Sequence, residues 1–170
     1  LCAALAPLAV EDLPLHPSAG LRLFLSRLGE GQDSLLAADL LAVLDVDSSD
    51  AALSRLPIDD KTRLSLRSLL RNSVSVTRLE AGSKINVIPS EATAWIDGRL
   101  APGQTQESFL QELRVLIGDR VEVDVDQYSP PLEASADAPM FRCIEEVMAS
   151  VDPGVPVIPS LSTGGTDAKH

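Results

Sequence analysis

The chain has 170 residues, a formal net charge of −11 and an apolar fraction of 45%. This length and apolar content suffice for a buried core, which must be mainly aliphatic because aromatic residues make up 3% of the chain. The acidic balance argues against nucleic acid and anionic membrane surfaces as partners, since both carry negative charge themselves.

Targeting and redox signals are weak along the whole chain. No apolar run reaches the roughly 18 residues of a membrane span, and the first residues lack the basic start of a signal peptide. Cys2 and Cys143 form neither a Cys-x-x-Cys pair nor a disulfide framework, which favours two small, buried apolar side chains. We expect a soluble, cytoplasmic protein. Because the chain starts inside an apolar helical pattern and stops without a helix or strand, we also expect it to be part of a longer protein.

The first 72 residues have the apolar spacing of helices. Four segments show it, namely 1–12 (broken by a proline), 18–29, 34–45 with Ser34 as cap, and 59–72 behind Asp59. Their leucines recur on one side of each helix, as in helices that face a core.

From residue 73 the apolar period changes to two. Residues 73–79 and 85–100 alternate as the strands of a β-hairpin, and Pro89 predicts a bulge or an unpaired edge in the second strand. Thr105 caps a predicted helix over 106–118, and 121–128 alternates as a third strand. Strand, strand, helix and strand predict an α+β fold, a two-layer ferredoxin-like sandwich that carries an extra helical segment.

The remainder of the chain has a different order of predicted elements. Residues 129–139 are a Pro/Ser/Ala-rich connection, after which come a predicted helix over 140–152 and a short apolar strand over 155–161. A Gly-rich loop follows this strand, as in α/β domains. The sequence therefore predicts one domain over 1–128 and a fragment of an α/β domain over 136–170.

Asn86 and Arg99 are the candidate functional pair of the hairpin. They are 13 residues apart and would face opposite sides of a regular strand, but one bulge near Pro89 would bring them to the same side. An arginine can bind a carboxylate through two hydrogen bonds, and an asparagine can donate to an oxyanion. The alternative is that Asn86 sits in a turn and that Arg99 pairs with Asp97 or with solvent.

Two further features have weaker functional readings. The Gly-Gly loop at 162–168 offers backbone N–H groups to a ligand, although such loops are also plain turns. His16 and His170 have no partners at metal-ligand or nucleophile spacing, so surface or loop histidines are the simpler interpretation.

Three stretches together carry a family resemblance, namely 71–105 ("RNSVSVTRLEAGSKINVIPSEATAWIDGRLAPGQT"), 129–148 ("SPPLEASADAPMFRCIEEVM") and 155–170 ("VPVIPSLSTGGTDAKH"). In order and spacing they resemble the second half of the M20 family of metallo-aminoacyl hydrolases. That family includes carboxypeptidases, acetylornithine deacetylase and aminoacylases. The resemblance implies a lid and dimerisation domain over 1–128, and the start of the second half of a zinc-hydrolase catalytic domain over 136–170.

The resemblance also implies a site and its cofactor. Asn86 and Arg99 would bind the substrate carboxylate and the polarised carbonyl, while Gly164, Gly165 and Thr166 would contact the substrate. The complete chain would hold two Zn²⁺ ions through ligands outside residues 1–170, so no catalytic or metal-binding residue is predicted here, and the 170 residues alone are predicted to be inactive.

Two functions follow as expectations. The first is a di-zinc M20-type hydrolase that cleaves an amide bond next to a free carboxylate, in a dipeptide, a C-terminal residue or an N-acyl amino acid, and that forms a homodimer through its lid. The alternative is a non-catalytic α+β dimerisation or binding module. Two zinc ions per complete chain would favour the enzyme.

Overall fold

The computed structural model describes residues 1–162 and residue 164. Its helices and strands confirm the α+β class. A 3₁₀ turn (Ala6–Ala9) follows the first helix. The helices are α1 (Cys2–Leu5), α2 (Ala19–Gly29), α3 (Ser34–Ala42), α4 (Ser49–Arg55), α5 (Asp60–Leu70), α6 (Gln106–Ile117) and α7 (Pro139–Val151). The strands are β1 (Ser73–Ala81) and β2 (Ala92–Arg99).

The chain divides into two compact units. The first unit consists of Leu1–Pro14 and Arg71–Pro131, so it is built from two separate stretches of sequence. The second unit consists of Leu15–Leu70 and the described residues from 132 onward. The predicted assignment of 1–128 to a lid and 136–170 to a catalytic domain stays a prediction.

In the first unit, β1 and β2 form an antiparallel hairpin. Ser73 lies opposite Arg99 at one end and Ala81 lies opposite Ala92 at the other, with a register shift at Thr77. The loop over residues 82–91 joins the strands. The extra residue of the hairpin is therefore in β1.

The long second strand predicted over 85–100 is wrong in its first half. Pro89 lies in the loop, and the pairing begins at Ala92. A proline has no N–H group to donate to a ladder, so a loop can hold it without losing a strand hydrogen bond. The predicted bulge at Pro89 is also wrong, because Pro89 is not in a strand.

Helix α6 packs on one face of the hairpin. Its Phe109, Leu113 and Ile117 form a buried cluster, against which Val74 and Ile96 of the two strands pack. Gly98 of β2 lies under the ring of Phe109, where an added Cβ would be 2.5 Å from Cζ. Helix α6 can therefore approach the hairpin this closely because glycine at position 98 has no side chain.

The alternation over residues 121–128 does not form the predicted third strand. Val121 and Val123 nevertheless pack against the α6 cluster, whereas Val125 is exposed. Two of the three alternating valines therefore pack against the core, but a strand also needs a neighbouring ladder of hydrogen bonds. In the described part of the chain, β1 and β2 are the strands of the sheet.

Asn72 is a buried polar residue at the start of the hairpin, with 1% of its surface exposed. Its Oδ1 accepts a hydrogen bond from the backbone N–H of Ala101 at 2.8 Å, and its Nδ2 donates to Glu112 of α6 at 2.9 Å. The neighbouring Arg71 forms an ion pair with Asp12 at 2.6 Å. These contacts join the N-terminal stretch, the hairpin and α6 within the first unit.

The core of the second unit is aliphatic, as the composition predicts. Leu21, Leu25, Val43, Leu53 and Leu70 are among its buried members. They come from α2, α4 and α5 and from the residue that follows α3. The 18–29, 34–45 and 59–72 predictions are confirmed as helices, whereas α4 was not predicted.

The helix caps of the second unit follow the sequence with one correction. Ser18 Oγ accepts from the N–H of Leu21 at the start of α2, and Asp59 Oδ1 accepts from the N–H of Thr62 in α5. The cap of α3 is Asp33, whose Oδ1 accepts from two backbone N–H groups, so the predicted cap Ser34 is wrong and is the first helical residue.

Arg27 of α2 contacts two later segments of the second unit. Its Nη1 forms an ion pair with Glu145 of α7 at 2.8 Å and donates to the carbonyl of Val157 at 2.8 Å, and its guanidinium lies 5.8 Å from the Phe141 ring centroid. The helix predicted over 140–152 is confirmed as α7. The strand predicted over 155–161 is wrong, since these residues belong to no strand of the structure.

None of the helices described within residues 1–162 is long and apolar enough to cross a membrane. The cytoplasmic location stays a prediction.

Candidate functional site

The hairpin has an outer face, which we define as the strand residues that point away from α6. The strand alternation and the β1 register shift assign eight side chains to it: Ser73, Ser75, Arg78, Glu80, Thr93, Trp95, Asp97 and Arg99. On the opposite face, Val74 and Ile96 pack in the α6 cluster. The outer face therefore carries the polar and charged residues of the hairpin.

Arg99 lies on this outer face at the last position of β2. Its side chain is exposed, and its Nε donates to Oδ2 of Asp97 at 2.8 Å. Within the described residues, its two Nη groups have no protein partner. The two Nη groups are therefore available to bind a carboxylate, while Nε is bound to Asp97.

Asn86 lies in the loop at the other end of the hairpin and is exposed. The eight residues of β2 separate this end from Arg99, which at about 3.3 Å per residue corresponds to roughly 23 Å. The expectation that one bulged strand carries Asn86 and Arg99 on the same side is wrong, because Asn86 lies in the loop and not in β2. The hairpin carries them at its two ends.

Of the three predicted substrate-binding residues in the Gly-Gly loop, the structure describes Gly164. Gly164 is exposed, and its N–H donates to Ser162 Oγ at 3.2 Å. Gly165 and Thr166 lie outside the described residues. Their predicted contact with a substrate stays a prediction.

Trp95 is a member of the outer face that the sequence reasoning did not single out. The guanidinium of Arg78, its cross-strand partner, lies 4.4 Å from the ring centroid, and Arg78 also forms an ion pair with Glu80. The signal was present in the sequence, because Trp95 and Arg99 are four residues apart on an alternating strand and therefore share a face.

Across residues 1–162 there is no group of three or more His, Cys, Asp or Glu side chains that could hold a metal ion. His16 lies near the start of the second unit, and its backbone N–H donates to the carbonyl of Leu70 at 2.7 Å. The described residues therefore do not fit a zinc site, and His170 lies outside them.

The comparison with protein families decides the assignment. A family model described as a peptidase dimerisation domain matches residues 24–125, which is more than half of the chain. The chain belongs to the M20 peptidase family. The matched range contains β1, β2 and α6, and hence both Asn86 and Arg99.

Curated relatives of this M20 chain are hydrolases and carboxypeptidase-like proteins by name. N-fatty-acyl-amino acid synthase/hydrolase PM20D1 of Xenopus tropicalis is 34% identical over 109 residues, which are 62% of this chain and 21% of the relative. Human PM20D1 is 32% identical over 106 residues, with shares of 59% and 21%. Probable carboxypeptidase S-like 2 of Dictyostelium discoideum is 30% identical over 112 residues, with shares of 64% and 22%.

The M20 chain thus spans about a fifth of the length of these curated relatives. No solved structure matches it.

Proposed function

We propose that this M20 chain is the lid and dimerisation part of a hydrolase that cleaves an amide bond next to a free carboxylate. Residues 1–128 would form the lid, and residues 136–170 would belong to the catalytic domain. The M20 assignment supports the class, and the relatives named as an N-fatty-acyl-amino acid synthase/hydrolase and a carboxypeptidase-like protein support the substrate type. Dipeptides, C-terminal residues and N-acyl amino acids all contain the required amide and carboxylate.

The exposed fork of Arg99 is the observation on which the proposal depends. Asp97 binds Nε at 2.8 Å, so the guanidinium is oriented while both Nη groups stay available. A carboxylate can then accept two parallel hydrogen bonds. Arg99 would thereby select substrates with a free carboxylate and hold the neighbouring amide in a fixed position.

The proposal places two Zn²⁺ ions on residues of the complete chain that lie outside residues 1–170. When bound, such ions activate a water molecule as the nucleophile and polarise the amide carbonyl. Asn86 would donate from Nδ2 to the oxygen of that carbonyl, where negative charge develops. Gly164, Gly165 and Thr166 would donate backbone N–H groups to the substrate.

The homodimer is part of the same proposal. Because β2, roughly 23 Å long, lies between Arg99 and the loop that carries Asn86, this geometry disfavours contact of one small substrate with both residues of the same hairpin. Both residues can act on one substrate if Arg99 comes from one protomer and Asn86 from its partner. The match to a dimerisation domain supports this arrangement.

The second candidate function is a dimerisation module without an active site. The description of the matched family model favours it, since that model covers a dimerisation domain and not a catalytic one. It differs from the hydrolase in metal content and in turnover. Zinc analysis of the full-length protein separates the two.

The test is hydrolysis by the full-length protein of an N-acyl amino acid and of its derivative with an amidated carboxylate. We expect about two zinc ions per chain, turnover of the acid and a strong preference over the amide. A metal-free full-length protein without turnover would favour the dimerisation module. Turnover of acid and amide at equal rates would contradict the role of Arg99.

A further inference from the structure

Trp95 occupies a distinct place on the outer face of the hairpin. It is the single tryptophan of the 170 residues, and 36% of its surface is exposed. The Arg78 guanidinium lies over the ring at 4.4 Å from its centroid, which fixes the orientation of the indole. An oriented and accessible aromatic ring on a polar face is a surface for apolar contact.

Arg78 does not make this position a second carboxylate site. Its Nη2 forms an ion pair with Glu80 and its guanidinium lies over the Trp95 ring, so its two Nη groups are not free together for a carboxylate. Arg99 is different because its Nη groups have no protein partner within the described residues. The outer face therefore has a carboxylate-binding end at Arg99 and an apolar position at Trp95.

The spacing between these positions limits the ligand that can occupy both. Four residues separate Trp95 from Arg99 along β2, which at about 3.3 Å per residue corresponds to roughly 13 Å. With carbon–carbon bonds of about 1.5 Å, an extended chain needs roughly ten atoms to cover that distance. An acetyl group is too short, whereas a long acyl chain is long enough.

We propose that Trp95 contacts the apolar acyl chain of the substrate and sets a preference for long-chain over short-chain N-acyl amino acids. The proposal rests on the proposed function, in which Arg99 binds the substrate carboxylate. The acyl chain lies along the outer face from Arg99 toward Trp95, and its contact with the indole removes apolar surface of both from water.

The experiment compares N-acetyl and N-lauroyl derivatives of one amino acid as substrates of the full-length protein, below the micelle concentration. In Trp95→Ala we expect kcat/KM for the lauroyl substrate to fall roughly tenfold, mainly through KM, because several methylene contacts are lost. For the acetyl substrate we expect a change of less than about twofold. Trp95→Phe keeps an aromatic surface and should retain most of the lauroyl activity.

The matched control is Leu79→Ala. Leu79 is an exposed apolar side chain of the same hairpin, but it lies on the opposite face, across from Ala94. Its truncation should leave the ratio of lauroyl to acetyl activity unchanged. A second readout is fluorescence, in which the difference between wild type and Trp95→Phe isolates the emission of Trp95. The lauroyl amino acid should shift that emission to the blue.

An equal loss for both substrates in Trp95→Ala would overturn the proposal, and so would an unchanged lauroyl to acetyl ratio. In either case the preference of wild type for the acid over the amide would remain, so the proposed function would stand. Absence of hydrolysis of every N-acyl amino acid by wild type would overturn the proposed function and this inference with it.

Discussion

Asp97 accepts a hydrogen bond from Nε of Arg99 at 2.8 Å, two residues away on the same face of β2. The carboxylate accepts from Nε of the guanidinium. The two Nη groups have no protein partner in the described part of the chain. An arginine held in this way is oriented before a ligand arrives, which reduces the entropy lost on binding. The pair therefore favours carboxylate recognition at this end of the hairpin.

The first prediction concerns Arg99 in the full-length protein. Loss of a bidentate contact to a carboxylate should cost on the order of 2 to 4 kcal/mol, or roughly 30-fold to 1000-fold in kcat/KM. Arg99→Lys keeps the charge but cannot form two parallel hydrogen bonds. Most of the decrease in kcat/KM should therefore appear in Arg99→Lys as well as in Arg99→Ala. Steady-state kinetics measures it, and urea unfolding should show a nearly unchanged midpoint.

The control for Arg99 is the substrate with an amidated carboxylate. Wild type and both variants should hydrolyse it at similar rates, because the contact in question is absent. If Arg99→Ala keeps the wild-type ratio of acid to amide hydrolysis, Arg99 is a structural partner of Asp97 and the carboxylate role is wrong.

The second prediction uses subunit mixing to test whether Asn86 acts across the dimer. Asn86→Ala and Arg99→Ala homodimers should both be nearly inactive. If each site combines Arg99 of one protomer with Asn86 of its partner, a mixed dimer has one intact site. Random mixing makes about half of the dimers mixed, so activity should recover to roughly a quarter of wild type.

Activity of the two variants before and after mixing under exchange conditions measures this recovery. Tags of different mass on the two variants, resolved by native mass spectrometry, show how far the subunits have exchanged. If the subunits have exchanged and activity does not recover, the cross-dimer site is wrong. Either both residues then act within one protomer, or one of them is not part of the site.

The third prediction concerns the close contact between Gly98 and Phe109. A Cβ at position 98 would lie 2.5 Å from the ring, so Gly98→Ala forces α6 away from the hairpin. We expect a loss of about 1 to 3 kcal/mol in the free energy of unfolding, measured by urea denaturation. In the background of Phe109→Leu, which removes the ring, the same change should cost clearly less. Equal costs in both backgrounds would show that the contact does not limit the packing.

The fourth prediction concerns the buried side chain of Asn72. Asn72→Ala leaves the N–H of Ala101 without its acceptor at a buried position, which should lower the free energy of unfolding by about 1 to 3 kcal/mol. Ser75→Ala, an exposed change in the adjoining strand β1, serves as the control and should stay within about 0.5 kcal/mol. A small effect of Asn72→Ala would indicate that water replaces the lost acceptor.

The fifth prediction concerns pH and the cap of α5. Hydrogen bonds from Thr62, first from its backbone and then from its side chain, lower the pKa of Asp59 below the ordinary value of an aspartate. A lowered pKa in the folded state means that the ionised cap contributes stability above the unfolded pKa and loses it as pH falls through the folded pKa. The unfolding midpoint of wild type should therefore exceed that of Asp59→Ala at pH 5 to 7.

That difference should shrink below about pH 4, where the carboxylate becomes protonated. Urea midpoints of both proteins across this range measure it. A difference that grows as the pH falls would have the wrong sign for an ionised cap and would contradict the assignment.

Short-range signals in the sequence determined most helices and the helix-facing side of the hairpin. The hydroxyl of Thr105 begins α6, the carboxylate of Asp59 begins α5, and Pro139 stands in the first turn of α7. Each of these residues acts on backbone groups no more than four residues away. The local sequence is therefore enough to predict where the helix begins. Ile96 belongs to the apolar set of the alternating stretch and lies on the buried face of β2. The family resemblance rested on equally local stretches.

The tertiary structure alone decided features that depend on a distant partner. Residues 121–128 alternate like a strand, yet a strand exists only where another backbone offers its hydrogen bonds. The extra residue of the hairpin lies at Thr77 and not at Pro89, because the register is set by the pairing of both strands. The same pairing moves Asn86 and Arg99 to opposite ends and brings Arg78 over Trp95, since cross-strand neighbours follow from register and not from distance along the chain.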